Sequence, residues 1–529
     1  MCREDKEPLF QWWRDHSDNS TREKMEHLTK EEIADAFSTL PSFGTGGIRM
    51  PEGIGPNRIN AITIRWAAAA LACTLEPKKE VLIGYDTRKH SKEYALETAL
   101  TLNRFAVPVA VFSTPIPVPL LSFALKKGNY GAGVMITASH NGSTYNGFKA
   151  YNTHGVQMIP KETALLEHQL KKIDPFSIQP LSVTESTKKG LLRYTGKEEK
   201  QAYLSQLTRS RLTETDLSIV ATPLHGAGHE LLPAALKRCG YKVTIVSEQA
   251  EPNGDFPTIA APNPEESSVF TLAKDYGKQQ NADLLLATDG DADRCGCCIK
   301  HNNHYIPLSG NDIAAVLLYY LTEREKNRIP KGSYIVRTAV SGTVAAAIAQ
   351  NAGLCVRITP TGFKHIGALA ADSANGIFFA GYEESGGFLA GNHAADKDGI
   401  QTALLLSEAA AHYKKQGKSL LDILEDIAHR FGREYTSTAR FSFPGKSGAE
   451  QRDACMTYFK NSIFPHIKKT VWGDTLFFDF GNHIKTALRP SGTEPYLKLY
   501  RIIQANDKKE AEEKAKIIDD FFIPRIKAY

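Results

Sequence analysis

Short apolar runs of strand character alternate with helical patterns three times over in this chain, and that alternation limits its fold more than any other feature. In the first third, Val81 to Tyr85, Val107 to Phe112 and Gly133 to Ile136 are separated by helical patterns near 61–75 and 91–105. The pattern returns with Ser218 to Ala221, Lys242 to Ser247 and Asp283 to Ala287, and again with Tyr334 to Thr338, Cys355 to Ile358 and Ile377 to Ala380. Three successive α/β domains with parallel or mixed sheets are therefore predicted, each ending in a loop rich in reactive side chains. Ligands of such sheets bind beyond the carboxyl ends of the strands. From about Arg433 the character changes. Short strands at Thr475 to Phe480 and Tyr496 to Ile502, then a charged helix from near Asn506, predict an α+β C-terminal domain. The expected domains are 1–203, 204–305, 306–430 and 431–529.

A chain of 529 residues exceeds one hydrophobic core, which agrees with three or four domains. Its net charge of +5 is small for that length, and no long Lys/Arg block occurs, so nucleic acid is not an expected partner. The N-terminal MCREDKEPLFQWW lacks a signal peptide's apolar centre. No stretch approaches the roughly 18 apolar residues of a membrane span, so no membrane partner and a cytoplasmic location are expected. Among the eight cysteines, Cys295, Cys297 and Cys298 cluster without a zinc-ligand spacing. They read as reduced thiols on a buried strand, which fits a reducing compartment.

The loops carry the chemistry. Thr137-Ala138-Ser139-His140-Asn141-Gly142 follows an apolar run and sets a hydroxyl nucleophile beside a histidine. In DGDADR (289–294), Asp289, Asp291 and Asp293 alternate, so a strand-like extension would place three carboxylates on one side. An EF-hand needs Gly at its sixth place and Glu at its twelfth, whereas Arg294 and Lys300 stand there. Hard oxygen ligands point to Mg2+ with a position left for a phosphoryl oxygen, which Arg294 would also meet. Arg489, Ser491, Gly492 and Thr493 in RPSGTEP (489–495) supply a guanidinium, two hydroxyls and an approachable amide, suited to a phosphate dianion. Asp398 reads as the N-cap of a following helix, and Lys397 as a phosphate contact.

Together these loops, with Phe43-Gly44-Thr45-Gly46-Gly47-Ile48-Arg49 and GYEESGG (381–387), resemble the active-site loops of the alpha-D-phosphohexomutases, in the same order and at comparable spacing from Phe43 to about Tyr500. The resemblance implies a four-domain, heart-shaped arrangement and a phosphorylated Ser139 whose phosphate oxygen completes the metal site. It implies that His140, Lys149 and Arg49 lie near the phosphoserine, and that RPSGTEP holds the phosphate not being transferred. Glu383 and Ser385 match residues that contact sugar hydroxyls. Thr361 and Gly362 belong to a PTGxK-like loop whose lysine, Lys364, is a further acid/base candidate. Which of His140, Lys149 and Lys364 moves the proton stays open. Most relatives carry proline where this chain has Gly142, an exchange that loosens the loop.

The implied reaction is a phosphosugar mutase with Mg2+ as cofactor and sugar phosphates as partners, passing through a hexose 1,6-bisphosphate. The details GTGGIR, TPLHGAGHE, PNPEE and TGFKHI are most similar to the phosphoglucomutase/phosphopentomutase branch. There GxEES favours glucose 1-phosphate and glucose 6-phosphate, with glucose 1,6-bisphosphate as activator. Phosphopentomutase and phosphomannomutase are the alternatives inside the family; a metal-dependent sugar phosphatase or a noncatalytic binding protein are those outside it.

Overall fold

A computed structural model describes residues 6–44, 46–76, 79–208, 215–443, 448–491 and 496–529. Among these, four sheets follow one another along the chain. The first contains β1 (Ile48–Pro51), β2 (Glu80–Tyr85), β3 (Val109–Phe112), β4 (Tyr130–Ile136), β5 (Tyr145–Tyr151) and β6 (Leu192–Thr195), in the order β1-β5-β4-β2-β3-β6. The second contains β7 (Ser218–Thr222), β8 (Lys242–Ile245), β9 (Leu284–Thr288), β10 (Cys295–His301) and β11 (His304–Pro307), in the order β11-β10-β9-β7-β8. The third contains β12 (Ser333–Thr338), β13 (Cys355–Thr359), β14 (Ile377–Tyr382) and β15 (Phe388–Ala390), in the order β13-β12-β14-β15.

These three sheets share one plan. A central strand (β2, β7 or β12) pairs in parallel with its two successors, and the second successor turns back into an antiparallel neighbour. Every loop singled out in the first three domains fills that one position: 137–144 joins β4 to β5, 289–294 joins β9 to β10, and 383–387 joins β14 to β15. The parallel strands are covered by helices on both faces and so read as continuous apolar runs; all five residues of β9, LLLAT, are buried.

The fourth sheet agrees with the α+β C-terminal domain expected there and adds strands to the two read from the sequence. It is fully antiparallel, with β16 (Glu434–Ser442), β17 (Lys468–Trp472), β18 (Thr475–Asp479), β19 (Ile484–Pro490) and β20 (Tyr496–Gln504) in the order β16-β20-β19-β18-β17. Its outer strands are solvent-facing and polar, as EYTSTARFS in β16 illustrates, so apolar runs do not mark them. Asp507 caps the terminal helix, Lys508–Lys527. Three helices between Lys6 and Ala36, absent from the sequence reading, pack Trp13 and Phe37 into the first domain.

One core cluster runs through the first three domains, joining Leu120 and Leu125 to Leu232, Leu286, Leu317 and Leu406. The fourth has its own core around Phe459, Leu488, Leu499 and Phe522. At about 1.5 to 3 kcal/mol per buried large side chain, this difference welds the first three domains to each other far more strongly than to the last. Cys295, Cys297 and Cys298 lie buried on β10, and every described cysteine except Cys73 and Cys355 is buried; all are free thiols. No helix among the described residues is long and apolar enough to cross a membrane.

Candidate active site

Ser139 stands at φ +51°, a left-handed conformation uncommon for a residue with a side chain, at the exit of β4. Two contacts impose it. Ser139 N donates to Thr137 Oγ1 at 2.8 Å, and Arg88, which is completely buried, grips the loop from below. Its Nη1 donates to the carbonyls of Gly142 (2.6 Å) and Tyr145 (2.9 Å), its Nη2 to those of Ser139 (2.7 Å) and Asn141 (2.6 Å), and its Nε to Asp86 Oδ2 (3.1 Å). All five guanidinium donors are used. The loop is therefore held firmly despite Gly142, contrary to the looseness that glycine suggests. Arg88 was not anticipated; a charged Asp-x-Arg directly after a buried strand was the available signal.

Ser139 and the aspartates meet. Ser139 Oγ donates to Asp289 Oδ2 at 2.8 Å and lies 3.3 Å from His140 Nδ1. Residues 289–294 are a turn, not a strand extension, with Ala292 at φ +52°. The three carboxylates still converge, because the turn wraps around them: their ligand oxygens lie within 4.8 Å of one another and all are buried. Asp291 Oδ1 and Asp293 Oδ1 have no hydrogen-bond partner at all. Burial, followed by Asp293 and Asp291, pushes Asp289 well above the carboxylate range. An all-oxygen set in which two buried carboxylate oxygens lack a hydrogen bond fits a hard divalent cation such as Mg2+.

Lys149 is no surface lysine. It is buried, with Nζ 2.7 Å from Asp291 Oδ2 and 3.4 Å from Asp293 Oδ2. Lys397 Nζ sits 2.9 Å from Asp293 Oδ2. Burial acts to raise the Asp293 carboxyl, but Lys397, Lys149 and Arg294 outweigh it and hold the group below its ordinary range. Burial, then Arg294 and Arg49, depresses His140 well below the usual histidine value, so its imidazole is neutral at neutral pH.

Above this cluster opens a cavity of about 410 Å³ lined from all four domains. Its wall carries the cations Arg49, Arg294, Lys397, Arg440, Arg489 and Lys498. Arg49 Nε and Arg294 Nε are buried without a hydrogen-bond partner. Thr361, Gly362, Glu383, Ser385 and Ser491 line it too, with His140 and Lys149. Ser139 and the aspartates do not line it themselves; they touch His140, Lys149, Arg294 and Lys397, which do. Glu383 accepts a hydrogen bond from Gly362 N at 3.1 Å, which ties the two sugar-loop candidates together, and burial pushes its carboxyl up to about 7. Asp398 caps helix Gly399–Lys414 as expected, accepting from Gln401 N. Lys364 is set apart: it does not line the cavity, its Nζ donates to Gly44 O at 3.2 Å, and burial lowers it to about 8. Thr45, Gly492 and Thr493 lie outside the described residues.

Arg440 and Lys498 escaped the sequence reading. Register explains them: Lys498 on β20 is directly paired with Arg440 on β16 and with Arg489 on β19, so three cations stand in a row across three strands. Like charges placed opposite one another are unfavourable unless an anion offsets them, so the row is suited to a dianionic group. Nothing in the local sequence marks such a row, since its members come from positions 440, 489 and 498.

Sequence comparison places three family descriptions along the chain: phosphoglucomutase/phosphomannomutase α/β/α domain I over residues 41–176, domain II over 201–302 and domain III over 309–431. A phosphoglucomutase of Staphylococcus saprophyticus is 32% identical, over 92% of this chain and 95% of its own. One from Staphylococcus epidermidis is 34% identical, with the same coverage of each chain. Among solved structures, a phosphoglucomutase/phosphomannomutase family protein of Burkholderia thailandensis superimposes with a TM-score of 0.71 at 18% identity, covering 92% of this chain and 97% of that one. The open form of the Paramecium phosphoprotein pp63/parafusin, a phosphoglucomutase, gives 0.68 at 19%, covering 92% and 96%.

Proposed function

Since the chain belongs to the phosphoglucomutase/phosphomannomutase family, the alpha-D-phosphohexomutases, we propose that it is a phosphoglucomutase, interconverting glucose 1-phosphate and glucose 6-phosphate through a phosphorylated Ser139 and a bound glucose 1,6-bisphosphate. The observation that carries this reading is the contact of Ser139 with a buried three-aspartate cluster directly behind a cation-lined cavity.

Asp289, Asp291 and Asp293 would hold Mg2+, which when bound supplies the positive charge that offsets both the carboxylates and a phosphoryl group. In the first half-reaction the free sugar hydroxyl attacks the phosphorus of phospho-Ser139. A new oxygen–phosphorus bond forms as the bond to Ser139 Oγ breaks. His140, neutral and 3.3 Å from Ser139 Oγ, is suited to take the hydroxyl proton and pass it to the departing serine oxygen. Lys149 and Arg294 face the equatorial oxygens of the transferring group. Arg489, Lys498 and Arg440 bind the distal phosphate, while Glu383 and Ser385 accept from and orient ring hydroxyls. The bisphosphate then presents its other phosphate to Ser139, and the same steps run in reverse. Charge offset and alignment, rather than covalent novelty, supply the rate.

Every described cysteine is a free thiol, which supports a cytoplasmic location, and the cation-lined cavity supports small sugar phosphates as partners. The test is a coupled assay with glucose, mannose, ribose and glucosamine 1-phosphates, read for isomer and for free phosphate. The glucose isomer should dominate. Faster turnover of ribose or mannose phosphate would reassign the substrate, and stoichiometric phosphate release would make the protein a phosphatase.

A further inference from the structure

We infer that Gly399 is a positioning residue for the aspartate loop: its missing side chain lets the first turn of helix Gly399–Lys414 seat on the loop's backbone and thereby fixes the separation of the Asp291 and Asp293 carboxylates. The inference rests on the reading of those aspartates as a divalent-cation site.

Gly399 N donates to Ala292 O at 3.2 Å. Ala292, at φ +52°, is the residue between the two aspartates whose Oδ1 atoms have no hydrogen-bond partner. A Cβ at position 399 would stand 2.4 Å from Arg294 O and 2.8 Å from Ala292 O, closer than real Cβ atoms come to backbone. Gly399 is not in the left-handed region, so its conformation does not call for glycine; only the space does. The neighbouring carbonyls of the loop are held as well, Asp291 O by Val118 N and Gly290 O by Ala227 N, both at 2.9 Å. The loop is thus suspended from backbone donors of three domains, two of them in the first turns of helices, whose positive ends favour nearby carboxylates.

The helix cannot give way to a larger residue, because its start is bracketed. Asp398, fully buried, accepts from Tyr203 Oη and His393 Nε2 at 2.8 Å each and from Gln401 N at 2.9 Å. Its own N–H donates to Phe388 O at 2.9 Å. Two residues earlier, Asp396 accepts from Tyr151 Oη at 3.0 Å. A methyl group at 399 therefore displaces the aspartate loop rather than the helix.

The experiment uses the full chain and Mn2+ alone, with free Mn2+ followed by electron paramagnetic resonance, on wild type, Asp291→Asn and Gly399→Ala. Wild type should bind Mn2+ and Asp291→Asn should lose it; failure of either overturns the cation site itself, and with it the role of Gly399. With those two controls as expected, Gly399→Ala should keep its circular dichroism but bind Mn2+ roughly 10- to 100-fold more weakly. Its kcat should recover as Mg2+ is raised to saturation, a signature that general structural damage would not give. An unchanged dissociation constant overturns the inference. Should Gly399→Ala not fold, Tyr203→Phe decides: removing one bond of the bracket should weaken Mn2+ binding about threefold, and unaltered binding refutes the role of Gly399.

Discussion

Arg88 offers the most exacting test of how Ser139, the proposed nucleophile, is held. Arg88→Met removes a fully buried guanidinium that serves four loop carbonyls and Asp86. Asp86 is itself buried, and burial already pushes its carboxyl up against the pull of Arg88. Breaking a buried pair while leaving the partner in place costs roughly 3 to 5 kcal/mol. The four carbonyls lose charge-assisted bonds as well, but these losses overlap with the first and do not add to it. Arg88→Met should therefore shift the first urea transition by about that free energy. Arg88→Lys separates folding from catalysis. A lysine retains the charge for Asp86, yet its three donors cannot reproduce five in a fixed fork. Most of the stability should return, while the Ser139 loop relaxes; a displacement of about 1 Å at a reacting group costs on the order of 100-fold in rate. The assay pairs urea unfolding with kcat and with intact-mass measurement of phospho-Ser139. Wild-type kcat in Arg88→Lys, or wild-type stability in Arg88→Met, would refute the reasoning.

Ser139→Ala should abolish turnover and the single phosphate seen by intact mass while leaving thermal unfolding nearly unchanged; activity in the folded variant excludes a phosphoserine carrier. Asp291→Asn should weaken Mg2+ binding and lower kcat far more than stability, and EDTA should inactivate wild type reversibly. Glu383, raised from 4.5 to about 7 by burial, protonates as pH falls through about 7, so KM for glucose 1-phosphate should rise below that pH and the rise should vanish in Glu383→Gln. Because its folded value is raised, stability is lost as pH rises from about 4.5 through about 7, on the order of 3 kcal/mol in all, and Glu383→Gln should be the more stable protein above that range; equal stability at pH 8 argues against a raised carboxyl. Lys149→Met should depress kcat by about 1000-fold or more, Lys364→Met by less than about tenfold, since only Lys149 lines the cavity and touches the aspartates. The opposite ranking would make Lys364 the proton carrier.

Local order was open to reading because it depends on near neighbours. The buried strands β2, β4, β7, β9 and β12 announce themselves as apolar runs, since helices cover both of their faces. The polar residues in the loops after β4, β9 and β14, among them Ser139, Asp289 and Glu383, stand out against such runs. A loop at the carboxyl end of a parallel strand is displayed at one edge of its sheet, and three repeats of one plan bring three such loops to one cleft. Edge strands such as β16 and β17 carry no such mark, because half-exposed polar residues have no periodicity to detect.

What joins residues distant in the chain belongs to the tertiary structure. The row Arg440-Lys498-Arg489 exists only through strand register, and the role of Arg88 only through a loop that begins 51 positions later. The alternation of Asp289, Asp291 and Asp293 suggested the right ligands by the wrong route. A turn, held by backbone donors from three domains, brings the carboxylates together where a strand extension was expected. Sequence determined which groups the molecule possesses and which segments could display them. Only packing decided their distances and charges, because desolvation and pairing depend on neighbours hundreds of residues away: Lys149 beside Asp291, Lys397 beside Asp293, and Lys364, identical in chemistry, turned away to Gly44.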